Sequence, residues 1–194
     1  LLVGECTLEE CIIKEVQENL DVLPSDVNLA GAEIELLDVP NKESLLKLEM
    51  EKVEKNYDYI IIDCPPSLSL LTINALTAAD TVLVPIQCEY YALEGLSQLV
   101  TTVRQVKRLY NPGIEIEGVL LTMYDGRLNL TQQVLREVKR FFPRKVFSTV
   151  IPRSVRLSEA PSFGQPVLYF DRSSRGSQAY EALTAEILDK NRKG

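Results

Sequence analysis

Apolar and polar positions along the 194-residue chain follow two alternating rhythms. Short runs rich in aliphatic and β-branched residues read as strands: ENLDVLP (18–24), YDYIIID (57–63), TVLVPIQ (81–87), IEGVLLTMYD (116–125) and KVFSTVIP (145–152). Between them, apolar residues spaced by three and four predict helices. These are NLAGAEIELL (28–37), NKESLLKLEMEKVEKN (41–56), LSLLTINALTAA (68–79), EGLSQLVTTVRQVKRLY (94–110), NLTQQVLREVKRFF (129–142) and SQAYEALTAEILDKNR (177–192). TLEECIIKEVQEN (7–19) reads as a further hydrophobic helix, and a loop of about 20 residues is expected before the last one. Strands alternating with helices imply crossover connections, hence an α/β fold with a mostly parallel sheet and helices on both faces. No repeat, low-complexity tract or linker interrupts the pattern, so residues 1–194 are expected to form a single domain.

Composition narrows the chemistry. Hydrophobic residues make up 45% and charged residues 25%, enough for one sizeable core. No apolar run approaches the roughly 20 residues that a membrane-crossing helix needs, and LLVGECTLEE lacks the basic start of a secretory signal. The four cysteines (Cys6, Cys11, Cys64, Cys88) have no CxxC spacing and read as reduced thiols of a cytoplasmic protein. Histidine is absent, which removes Ser-His-Asp and Cys-His catalysis and the common catalytic-zinc ligand sets. Carboxylates, hydroxyls, backbone groups and a hard cation remain.

Charge is unevenly placed. The net charge is -7, yet residues 127–156 hold eight basic side chains (Arg127, Arg136, Lys139, Arg140, Arg144, Lys145, Arg153, Arg156) against Glu137 alone. Residues 1–63 hold 16 Asp and Glu against 5 Lys. A basic segment in an acidic protein suggests a local polyanion site. A solvated helix face with scattered loop arginines would give the same count.

The expected strand ends collect polar residues: Asp63 with Pro65 and Pro66, Gln87 with Glu89, Thr122 with Met123 and Asp125, and Pro152 with Arg153. Open α/β sheets bind ligands in the crevice beyond those ends. YDYIIID has the form of a Walker B element, an apolar strand aiming one carboxylate at a crevice where it can hold a water on Mg²⁺ beside a phosphate. Pro65 and Pro66 would stop the strand at once by fixing φ. A solvated Asp at the tip of any α/β strand has the same pattern, and the residues alone leave both readings open.

IIIDCPPSLSLLTINALTAAD, VPIQCEYYALEGLSQL, EGVLLTMYDGR and VIPRSVRLSEAPSFGQPV, in that order, resemble the ParA/Soj family of chromosome- and plasmid-partitioning ATPases. The resemblance runs from about residue 18 to the last helix. It implies a deviant-Walker P-loop fold, ATP and Mg²⁺ as cofactors and an ATP-dependent homodimer. It also implies non-specific DNA binding, release through hydrolysis stimulated by a ParB-like partner, and a cytoplasmic, nucleoid-associated location. Residue by residue, Asp63 matches the Walker B aspartate, catalytic and holding Mg²⁺ through water. Pro65 and Pro66 belong to the switch that follows and, by the resemblance, bind nucleotide. Met123 and Pro152 match positions lining the adenine pocket, and Arg153 beside them is implied to bind nucleotide too. Arg127 and Arg156 match arginines that grip DNA, and Lys139 would extend that surface. Gln165 stands where many relatives have a lysine.

One element of the family is absent. None of the nine glycines precedes lysine, so no GxxxxGK[ST] loop exists in the chain. The chain is therefore expected to be a fragment whose N-terminal strands and phosphate loop are missing, and to be inactive alone as an ATPase. Two other readings are a MinD-like membrane-cycling ATPase and a binding or dimerisation module without a P-loop. The first would need an amphipathic C-terminal helix with a basic face. YEALTAEILDKNRKG reads better as a helix packed against the sheet.

Overall fold

The structure, a computed structural model, describes residues 1–65, 67, 69–89 and 92–192. In chain order these form α1 (Leu8–Cys11), β1 (Ile13–Gln17), β2 (Leu20–Val22), α2 (Leu29–Glu35), α3 (Leu45–Met50), α4 (Leu70–Ala78), β3 (Thr81–Gln87), α5 (Ala92–Leu109), β4 (Glu115–Thr122), α6 (Asn129–Phe141), α7 (Val155–Glu159), α8 (Val167–Phe170) and α9 (Arg175–Asn191). Two compact units result, Leu1–Asp80 with Thr102–Ile114, and Thr81–Thr101 with Glu115–Gly194.

The first unit departs from the periodicity at its start. Residues 7–19 were expected to be one helix, but only one turn forms, closed by a reciprocal capping box between Thr7 and Glu10. The chain then enters β1, which pairs antiparallel with β2. Asn19, at φ 58°, supplies the left-handed residue that reverses the chain, and Glu15, at φ 52°, marks an irregularity in the ladder. Lys14 Nζ donates to Asp21 and to Tyr57 Oη, both at 2.8 Å, and Tyr57 Oη donates to Asp21 at 2.6 Å. These bonds tie the hairpin to residue 57. The helix expected over 41–56 is broken into α3 flanked by single 3₁₀ turns at Lys42–Ser44 and Glu54–Asn56.

Fully buried Asn74 organises the α3–α4 contact, accepting from the Leu46 amide and donating to the carbonyls of Lys42 and Leu70. Asn111 donates to the carbonyls of Leu76 and Ala79, satisfying the last turn of α4.

The strand expected over 57–63 does not form. These residues have no ladder partner among the described residues, and Tyr59, Ile60 and Ile61 are 48%, 41% and 91% exposed. An apolar β-branched run nominates a strand, but only a neighbouring strand can satisfy its amides and carbonyls.

The second unit carries the parallel α/β architecture. β3 and β4 pair in parallel, with Val84 opposite Val119 and Ile86 opposite Leu121. Successive side chains alternate between faces. Val84, Ile86, Val119 and Leu121 pack with Leu96 of α5 and with Val134 and Val138 of α6. On the other face Leu83 and Leu120 pack with Phe147, Ile151, Leu157 of α7, and Leu183 and Ile187 of α9. Helices thus cover both faces of this sheet, and the apolar stripe of α9 is used inward. Gly118 lies under the Phe147 ring, where any added Cβ would stand 2.6 Å from a ring carbon.

Residues 145–152 run alongside β4 as expected, but not as a regular strand. Val119 donates to Lys145 and accepts from Phe147, and Leu121 next accepts from Ile151, so four steps on one chain match two on the other. The intervening amides of Ser148 and Thr149 turn outward to the Glu186 carboxylate, at 2.7 and 2.8 Å. That bulge interrupts the ladder. The long loop expected before α9 is also replaced by structure: α7, a 3₁₀ turn at Ala160–Phe163, and α8. No helix among the described residues is long and apolar enough to cross a membrane.

Candidate functional site

Asp63 stands in the first unit, exposed at the end of the irregular run, and no described residue hydrogen-bonds its carboxylate. Pro65 beside it is exposed, while Pro66 lies outside the described residues. Just beyond, Thr72 Oγ1 donates to the Ser67 carbonyl at 2.6 Å, fastening the segment to the first turn of α4. The Cys64 thiol is pushed up from its ordinary pKa by burial and by the Asp63 charge. Among the described residues no group of three or more potential ligands could hold a metal ion by itself. A single exposed carboxylate nevertheless suits Mg²⁺, which commonly takes one or two protein carboxylates and completes its shell with water and phosphate.

The second unit gathers the remaining positions around the carboxyl end of β4. Met123 leaves the strand in the left-handed region at φ 52°, a conformation that costs energy in a non-glycine residue and is enriched at functional sites. Tyr124 then bridges to Pro152 in parallel register, its amide donating to the Ile151 carbonyl and its carbonyl accepting from the Arg153 amide. Pro152 therefore stands opposite Tyr124, one residue past Met123, with Arg153 exposed after it.

Arg127 sits on the turn from β4 into α6. Its Nε and Nη2 donate to the two oxygens of Asp125 at 2.9 and 2.7 Å, and its own amide also donates to Asp125 Oδ1. The Arg127 bonds, with a smaller effect of Arg153, hold the Asp125 carboxyl down at about 2. Gln132 of α6 reaches back to Tyr124 Oη and to the Gly126 carbonyl, pinning the turn. Arg156, on α7, has a comparable frame. It meets Glu159 at 2.9 Å and Asp171 at 3.2 Å, and lies over the Phe170 ring, which itself stacks on Phe163.

The other basic residues differ. Lys139 and Arg140 are exposed on α6, Arg140 only loosely paired with Glu137 at 3.9 Å. Lys145 instead has a structural role, bonding Glu115 and the Ile116 carbonyl. Sequence reasoning missed the acids that hold the arginines. The D-x-R and R-x-x-E spacings carried that signal, since an Asx turn and an i,i+3 helix pair place those groups together.

A family model described as an AAA domain matches residues 1–116. The sporulation initiation inhibitor protein Soj of Bacillus subtilis is 57% identical over 187 residues, covering 96% of this chain and 74% of Soj. The chain belongs to the ParA/Soj family of chromosome-partitioning ATPases. A plasmid partition protein of Borrelia burgdorferi bound to AMPPNP shares the fold of this ParA/Soj chain, with TM-score 0.81 at 24% identity over 97% of this chain and 72% of that one. Cobyrinic acid a,c-diamide synthase of Mycobacterium smegmatis, solved with an ATP analogue and magnesium, has TM-score 0.73 and 38% identity over 79% of this chain. The match spans 62% of that enzyme's length. The ParA/Soj chain thus has the α/β fold of P-loop NTPases, the α/β class as its sequence pattern implied and the P-loop type as the resemblance implied.

Proposed function

We propose that the protein acts in DNA segregation as an ATP-driven DNA-binding switch, with residues 1–194 as one partial ParA-type ATPase domain. What supports this reading within the family is the pairing of Tyr124, the residue after Met123, with Pro152, just before the turn that holds Arg127. Pro65, Pro66, Met123, Pro152 and Arg153 are the nucleotide-binding positions of this reading, and Asp63 is the residue that would hold Mg²⁺ through a water. Magnesium, when bound with the nucleotide, neutralises charge on its phosphates. Arg127, Arg156 and Lys139 contact DNA phosphates.

ATP closes a homodimer that aligns these contacts on DNA in the nucleoid. A ParB-like partner then stimulates hydrolysis and release. Phosphate contacts make such binding indifferent to sequence and steeply salt-dependent. The 194-residue chain, without GxxxxGK[ST], is expected to hydrolyse no ATP by itself.

The test is anisotropy of two unrelated labelled duplexes with the protein at its native length, with ATP and with ADP, across a salt series. Equal, ATP-dependent binding that falls with salt is expected. Binding that ignores nucleotide, or that prefers one duplex at all salts, would overturn the reading.

A further inference from the structure

The Arg127 guanidinium is 89% exposed as a side chain, yet it is not loose. A guanidinium has five N–H donors. Asp125 takes the Nε donor and one on Nη2, leaving three on the edge facing away from the carboxylate. The carboxylate is itself fixed to the turn by the Arg127 amide at 3.1 Å. Gln132 joins the turn to α6, and the Tyr124–Ile151 and Arg153–Tyr124 bonds join it to the parallel ladder. An unbroken series of bonds therefore runs from the sheet to an exposed cationic fork.

Building on the DNA-binding reading above, we propose that Asp125 is a positioning residue that pre-orders Arg127 for a DNA backbone phosphate. Two effects oppose each other. The Asp125 charge repels phosphate, while its two hydrogen bonds remove rotamer freedom that Arg127 would otherwise lose on binding. Arg153, whose amide bonds the Tyr124 carbonyl, adds to the pull of Arg127 on the Asp125 charge, so two cations stand against one acid. Its repulsion also acts through solvent, where charges are strongly screened. Positioning therefore outweighs repulsion.

This gives a result opposite to that of a charge count. Asp125→Ala makes the protein more positive, yet it should weaken ATP-dependent DNA binding by about twofold to tenfold, the scale of one immobilised long side chain. Asp125→Asn, which keeps the Oδ1 acceptor for the turn but not the charged fork, should weaken it as well and guards against misfolding of the alanine variant. In an Arg127→Ala background, Asp125→Ala should cause no further loss of DNA binding, a non-additivity that a general structural role would not produce. Nucleotide affinity and melting temperature are measured alongside. Tighter DNA binding by Asp125→Ala, or an equal loss in the Arg127→Ala background, would overturn the positioning role and leave the DNA reading intact. An Arg127→Ala protein with unchanged DNA affinity would instead bring down the DNA assignment of Arg127 and this proposal with it.

Discussion

Residues 57–63 and 81–87 look alike as sequences, and the structure treats them oppositely. Both are short apolar runs ending in a polar residue, YDYIIID at Asp63 and TVLVPIQ at Gln87. In the second, Ile86 is 4% exposed, locked opposite Leu121 in a parallel ladder with helices on both faces. In the first, Ile61 is 91% exposed and the backbone has no ladder partner among the described residues. Hydrophobic side chains are equally available in both. Among the described residues 81–87 alone of the two has a neighbouring backbone at the right spacing, and that neighbour allows the alternate faces to be covered.

The sharpest way to break this comparison is to place a charge in each run. Ile86→Asp should cost more than about 4 kcal/mol, because a carboxylate would be buried without a partner. Denaturant unfolding should show loss of the second unit's transition. At intermediate size, Glu186→Gln should cost about 1–3 kcal/mol by replacing charged acceptors for the Ser148 and Thr149 amides. Burial raises the Glu186 pKa, but those two amide bonds and the Lys190 charge outweigh it and leave the carboxyl below its ordinary value. A depressed carboxyl stabilises above its unfolded pKa of roughly 4.3 and ceases to do so as pH falls through the folded value. The gap between wild type and Glu186→Gln should therefore narrow from pH 7 to pH 3 in thermal melts. Smallest of all, Ile61→Asp should change stability by less than about 0.5 kcal/mol. A loss comparable to that of Ile86→Asp would show that 57–63 is a core strand after all.

Much of the second unit was legible from periodicity. TVLVPIQ coincides with β3, and α6 and α9 fall within two residues of their expected spans, because an amphipathic repeat long enough to bury one face leaves little choice. Shorter signals were overridden. CIIKEVQ reads as a helix by its apolar spacing, but Asn19 offers a left-handed reversal and the residues around it close a hairpin. SEAPSFGQPVLYF reads as loop by its prolines and glycine, yet those residues begin and end short helical turns rather than preventing them. For the site, sequence named Arg127 and Arg156 but not what holds them. Asp125 could be inferred from its spacing, whereas the Asp171 and Phe170 contacts with Arg156 depend on how α7 and α8 meet.

By itself, the sequence determined the class of the fold, the family, and the residue types available for chemistry. These follow from local periodicity, from long ordered motifs and from the absence of histidine. Tertiary structure alone decided which apolar run became a strand, where the 145–152 segment bulged, that Arg156 meets Asp171 and Phe170, and that Lys145 serves the fold. Each of those outcomes depends on a partner distant in sequence. A hydrogen-bond ladder and an ion pair exist only when both halves are brought within about 3 Å.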